Sequence, residues 1–84
     1  MLYTVSIKRS AQKALIRLPE NDYQRVFAAI EALANDPRPE GSKKLKGRDG
    51  WRLRIGNYRV IYEINDRALA VLVVDVVHRR EAYR

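Results

Sequence analysis

Between Trp51 and Ile64 the chain alternates apolar and polar side chains on both sides of a Gly56-Asn57 dipeptide. Trp51, Leu53 and Ile55 alternate with Arg52 and Arg54, and Tyr58, Val60, Tyr62 and Ile64 alternate with Arg59, Ile61 and Glu63. A period of two reads as strand, and a two-residue connection with glycine first reads as a hairpin turn. That turn fixes the register: Ile55 opposite Tyr58, Arg54 opposite Arg59, Leu53 opposite Val60, Arg52 opposite Ile61 and Trp51 opposite Tyr62. One face is then apolar, and Arg52, Arg54 and Arg59 share the other. Directly opposed side chains have Cβ atoms only about 4.5–5.5 Å apart, so the Arg54–Arg59 pair is unfavourable unless an anion uses it. Guanidinium groups gathered this way suit phosphate. The plainer alternative is that Glu63 or Asp75 neutralises the face and the arginines only solvate it.

The remaining segments supply partners for this hairpin. Tyr3, Val5 and Ile7 alternate with Thr4, Ser6 and Lys8, the pattern of a short half-buried strand. Ser10 is a candidate N-cap for a helix carrying Ala11, Ala14, Leu15 and Leu18, which Pro19 stops. A second helix presents Tyr23, Val26, Phe27, Ile30, Leu33 and Ala34 as one stripe and ends at Asn35-Asp36-Pro37. Arg38 to Gly50, with its glycines, prolines and Lys43, Lys44, Lys46 and Arg48, reads as a basic loop. Leu69 to Val77 is a continuous β-branched and aliphatic run that reads as a strand buried on both faces at the sheet centre. A three-residue turn at Asn65 to Arg67 would pair Arg59 with Val73 and aim odd-numbered residues at the arginine face. A different loop length reverses that parity unless a bulge near Val77-His78 restores it. The expected fold is α+β in the order β-α-α-β-β-β, one domain over residues 1–84, with a helical hairpin packed on one face of a mainly antiparallel sheet.

Composition narrows the chemistry. The 84 residues carry 17 Lys and Arg against 10 Asp and Glu, a formal net charge of +7. Most of the excess lies in residues 43–59 and 79–84. With no cysteine and one histidine, a disulfide framework, a thiolate metal site and a His-based zinc site are all excluded, and no cofactor is expected. The longest apolar run is far short of the ~20 residues that span a bilayer, which reads as a cytoplasmic protein without membrane partners.

Three stretches together resemble a known family. Lys44-Leu45-Lys46-Gly47, then Trp51-Arg52-Leu53-Arg54-Ile55-Gly56-Asn57-Tyr58-Arg59-Val60-Ile61-Tyr62, then Val77-His78-Arg79-Arg80-Glu81-Ala82-Tyr83 look like the RelE branch of the RelE/ParE toxins of type II toxin–antitoxin systems. The resemblance runs the whole chain. It implies a ribosome-dependent endoribonuclease that cuts messenger RNA at A-site codons without metal, by attack of a ribose 2′-hydroxyl on the adjacent phosphate. It also implies an acidic RelB-like antitoxin, through which alone operator DNA would be contacted.

Carried over by position, Arg52 and Arg54 match the basic pair that includes the general base, and Arg59 the arginine that stabilises the phosphate. Arg79 matches the residue on the leaving 5′-oxygen, and Tyr83 the aromatic that stacks on a base. Lys43, Lys44, Lys46, Arg48 and Arg80 would contact RNA backbone. The best-known members carry lysine where this chain has Arg54, and a guanidinium is a poor proton acceptor near neutrality. Two fewer residues separate Arg79 from Tyr83 than in some members. His78 reads as a packed strand-end residue or, alternatively, as an acid–base group, and Trp51 reads as core. Two other functions fit parts of the pattern: a ParE-like toxin acting on DNA gyrase without nuclease activity, and a non-catalytic RNA-binding module.

Overall fold

In the computed structural model, residues 2–78 form β1 (Thr4–Ile7), α1 (Arg9–Ile16), α2 (Glu20–Ala32), β2 (Ser42–Lys44), β3 (Trp51–Ile55), β4 (Tyr58–Asn65) and β5 (Ala70–His78); these are the residues the structure describes. The strands make one sheet in the order β1-β5-β4-β3-β2. Every neighbouring pair is antiparallel except β1 with β5. The α+β architecture with a helical hairpin on one sheet face is as the sequence indicates, with one strand added.

That strand is β2, which lies inside the segment read as a loop. Ser42, Lys43 and Lys44 pair with Leu53, Arg52 and Trp51, and the Leu45 N–H donates to the Gly50 carbonyl to close the connection. Glycine and proline on both sides hid an alternation only three residues long. Gly50 is buried at φ +129°, a backbone region open to glycine, and a Cβ there would lie 3.3 Å from the Tyr62 carbonyl oxygen.

Ser10 is not the cap of α1. The Lys8 N–H continues the β1–β5 ladder by donating to the Val73 carbonyl, and the helix starts at once, with Lys8 at the N-cap position and no capping side chain. The Gln12 side chain instead donates to the Ile7 carbonyl across the junction.

The hairpin register of β3 and β4 is the one the alternation requires, with Gly56 at φ +57° in the turn. The β4–β5 connection differs from expectation. Asn65 pairs with Ala70, leaving a four-residue turn that is closed by the Asn65 side chain accepting from the Ala68 N–H and by Leu69 at φ +51°. Four residues reverse the anticipated parity, and a bulge restores it: Tyr62 faces Val73 but Ile61 faces Asp75, so Val74 is the extra residue. The bulge lies mid-strand rather than at Val77-His78, and past it Arg59 pairs with Val77, not Val73.

The core gathers Ala11 and Leu15 of α1, Val26 and Ile30 of α2, Leu33, Leu53, Val60, Tyr62, Val71, Val73 and Val76. Full burial of such aliphatic and aromatic side chains is worth roughly 1.5–3 kcal/mol each, so this one face of the sheet holds the fold together. Tyr62 is completely enclosed, and its hydroxyl is satisfied by donating to the Pro37 carbonyl at 2.8 Å. Strand β5 is not buried on both faces. No described helix covers its second face, where Leu72 is 38% exposed and Asp75 is exposed. Among the described residues no helix is long and apolar enough to cross a membrane.

Candidate nucleic-acid interface

The uncovered sheet face carries two cross-strand rows. In one, Lys43 of β2, Arg52 of β3, Ile61 of β4 and Asp75 of β5 lie side by side. In the next, Arg54 faces Arg59, which faces Val77. Paired residues share a face, so four cations from three strands occupy one side of the sheet. Lys43 and Arg54 are exposed, and Arg52 and Arg59 are half-buried. Neither Glu63 nor Asp75 forms an ion pair with Arg52 or Arg54; the described residues contain the Arg38–Asp66 pair instead. Among the described residues, Arg52 and Arg54 thus have no carboxylate partner in an ion pair.

The β3–β4 turn adds a fifth cation. The guanidinium of Arg25, on α2, packs against Gly56 so closely that a Cβ there would lie 3.2 Å from its Nη2. Arg54 Nε reaches the Gly56 carbonyl from within the hairpin at 3.5 Å. The turn glycine thus joins a helix arginine to the sheet arginines.

At the other end of the sheet the polar groups are mutually satisfied. Asp66 accepts from Tyr3 Oη at 2.6 Å and from both terminal nitrogens of Arg38 at 3.2 and 2.9 Å, and the Arg38 guanidinium lies 5.1 Å over the Trp51 ring. Arg38 and Tyr3, donating to the charged form, hold the Asp66 carboxyl down at about 2. Trp51 packs on the core with Arg38 above it, consistent with a structural rather than a base-stacking position.

Comparison with known proteins identifies the family. The chain matches the model of the ParE toxin of type II toxin–antitoxin systems over residues 5–83. It is 34% identical to RelE1 of Methanocaldococcus jannaschii, with all of this chain and 98% of that protein aligned. It is also 31% identical to toxin RelG of Mycobacterium tuberculosis, over all of this chain and 99% of that one. The archaeal RelE–RelB complex from Pyrococcus horikoshii superposes with a TM-score of 0.84 at 33% identity, over 94% of this chain and 97% of the other. The chain is a RelE-type toxin of the RelE/ParE superfamily.

In this toxin the sheet brings together Arg52, Arg54 and Arg59 of the residues singled out by sequence, and it adds Lys43, which the loop reading had set apart from them. Lys44 alternates to the opposite side, beside Trp51, while Lys46 and Arg48 sit in the exposed connection between β2 and β3. Arg79, Arg80 and Tyr83 lie outside the described residues. His78 pairs with Tyr58, its ring edge-on at 5.3 Å. Tyr58 in turn donates to Asp22 of α2 at 3.1 Å, so His78 belongs to the helix-covered face and not to the arginine face. Burial, then the hydrogen bond to Asp22, raises the Tyr58 hydroxyl above its ordinary pKa. Sequence reasoning missed Arg25, because nothing in a helical stripe says which turn of the sheet its polar face will meet.

Proposed function

We propose that this toxin is an endoribonuclease that cleaves messenger RNA in the ribosomal A site and so inhibits translation. The observation that carries the reading is the clustering of Lys43, Arg52, Arg54 and Arg59 on an uncovered sheet face, with Arg52 and Arg54 left unneutralised by carboxylates. Attack of the 2′-oxygen forms a new P–O bond and creates a dianionic phosphorane. Breaking the P–O5′ bond then leaves a 2′,3′-cyclic phosphate and a 5′-oxygen that takes up a proton from solvent to become a hydroxyl. Fixed guanidinium groups aimed at that charge, together with in-line positioning, supply the larger share of such catalysis.

In this scheme Arg59 holds the scissile phosphate, Arg52 and Arg54 orient the ribose side, Arg79 serves the leaving oxygen and Tyr83 stacks on a base. In this scheme the 2′-proton passes to solvent and Arg54 contributes charge. Lys43, Lys46, Arg48 and Arg80 neutralise RNA backbone, whereas Lys44 lies on the other side of β2, beside Trp51. No metal enters the scheme.

Family membership supports an antitoxin as partner, as RelE is in complex with RelB in the Pyrococcus structure, and the basic sheet face suits an acidic one. Primer extension on a message translated with the toxin present tests the function. Cuts inside A-site codons support it. DNA breaks dependent on gyrase, without RNA cuts, would move the chain to the ParE activity whose name the matching family model bears.

A further inference from the structure

Helix α1 turns a second basic surface to solvent, on the side of the molecule opposite the arginine face. Arg9, Lys13 and Arg17, its C-cap residue, recur every four residues and are all exposed. At 3.6 residues per turn, each step of four advances about 40° around the helix and about 6 Å along it. The three cations therefore form a rising stripe within one narrow sector, opposite Ala11 and Leu15, which enter the core. None of the three joins an ion pair among the described residues.

Two features show that this stripe is held against local electrostatics. Arg9–Lys13 and Lys13–Arg17 are like-charge pairs at i,i+4, which destabilise a helix. The first turn of α1 also has no acidic residue and carries Arg9, on the positive end of the helix dipole, whereas the first turn of α2 has Glu20 and Asp22. At their N-termini α1 thus opposes the dipole rule and α2 follows it, while Lys13 and Arg17 lie at the C-terminal end of α1, which favours cations.

We propose that the outer face of α1 docks on the phosphate backbone of a double-helical RNA, a contact separate from the sheet arginines. Exposed cations in a single row, without bidentate partners, suit neutralisation of a nucleic-acid backbone. An acidic protein is the weaker fit. The apolar side chain exposed within the stripe is Ile16, flanked by Gln12 and the cations, and one residue does not make the apolar centre of a protein interface. The helices cover the other sheet face, so an RNA strand bound at Arg54 and Arg59 does not reach α1. At a Debye length of about 10 Å the two surfaces act independently. The inference does not require cleavage.

The test is fluorescence anisotropy of the full chain on a short, blunt-ended RNA duplex across a salt series. The variant R9Q/K13Q/R17Q is expected to bind at least tenfold more weakly at low salt. Its log–log salt slope should be shallower by about 3, close to one unit per lost phosphate contact. Glutamine is a good helix former and removes the like-charge pairs, so a melting transition at or above the parent's shows that the helix is intact. R9K/R17K keeps the charge and should keep the affinity, and Ile16→Ser should bind the duplex as the parent does. Unchanged duplex affinity and salt slope in the triple variant overturn the proposal. So does a triple variant that loses antitoxin affinity while keeping duplex affinity, which would make the face a protein interface.

Discussion

Arg54 and Arg59 are register partners across the β3–β4 hairpin, two cations on one open face with only Gly56 and Asn57 between their strands. A directly opposed like-charge pair is unfavourable by up to about 1 kcal/mol. Replacing exposed Arg54 by Gln should therefore leave the free toxin as stable or a few tenths of a kcal/mol more stable, while cleavage falls about 100-fold, the usual effect of removing one preorganised charge or donor. Arg59→Ala should abolish growth arrest with the fold retained. Urea denaturation and single-turnover cleavage measure the two effects separately. Growth arrest persisting with Arg59→Ala would falsify its phosphate-binding role.

The pH profile of cleavage tests whether a side chain acts as the base. A guanidinium does not lose its proton in the working range, so the parent's cleavage rate should show no plateau from a titrating base between pH 7 and pH 9. Arg54→Lys retains the charge and introduces an amine with an ordinary pKa near 10.4, about two units closer to neutrality. Its rate relative to the parent should rise with pH over that window. A parent profile that levels off with an apparent pKa near neutrality would assign the base to another group.

The hairpin was legible because its alternation is long and its turn is chemically specific: Gly56 alone settled five cross-strand pairs, including Arg54 with Arg59. What stayed hidden depended on contacts distant in sequence. Lys43 reaches the arginine face only because Gly50 closes a short connection under Tyr62, and the parity of β5 depends on a turn through Leu69 and on one inserted residue, Val74. A one-residue difference in loop or bulge reverses every side chain beyond it, and alternation in a uniformly aliphatic strand carries no marker of which face is which. The arginine cluster was thus readable from the hairpin, but its Lys43 margin and its Arg25 neighbour were not.

Gly50 offers a test of that margin. A Cβ there would meet Leu45 Cδ1 at 3.1 Å and the Tyr62 carbonyl oxygen at 3.3 Å, on a backbone that L-residues rarely adopt. Gly50→Ala should cost roughly 1–3 kcal/mol. It should also loosen β2 against β3, so that protection of the Ser42–Lys44 amides from hydrogen exchange falls more than that of β4. Equal loss in both strands would mean that the β2–β3 connection is not an independent element.

Asp66 provides a pH handle on stability that is separate from the RNA face. Its carboxyl is held at about 2 by Arg38 and Tyr3, below the ordinary value of 3.8. A depressed acid contributes stability that is fully present above its unfolded pKa and is lost as pH falls through the folded value. The melting-temperature gap between the parent and Asp66→Asn should therefore be constant above pH 5 and shrink between about pH 4 and pH 2. Because the pair is exposed, added salt should narrow the gap at every pH. A gap that persists at pH 2 would assign the loss to the turn backbone rather than to the charge.

The antitoxin supplies the last test, since an acidic segment laid over Lys43, Arg52, Arg54 and Arg59 would relieve the repulsion between register partners as it binds. Ligation of the folded state alone at a hundredfold excess over Kd adds about 2.7 kcal/mol. For a domain of this size that corresponds to a rise in melting temperature of roughly 10–20 °C. Affinity should weaken with salt, and charge-removing variants on the sheet face should reduce that salt dependence more than variants on α1 do. If the sheet arginines prove dispensable for binding, the antitoxin silences the toxin from elsewhere, and the arginine face stays open to RNA within the complex.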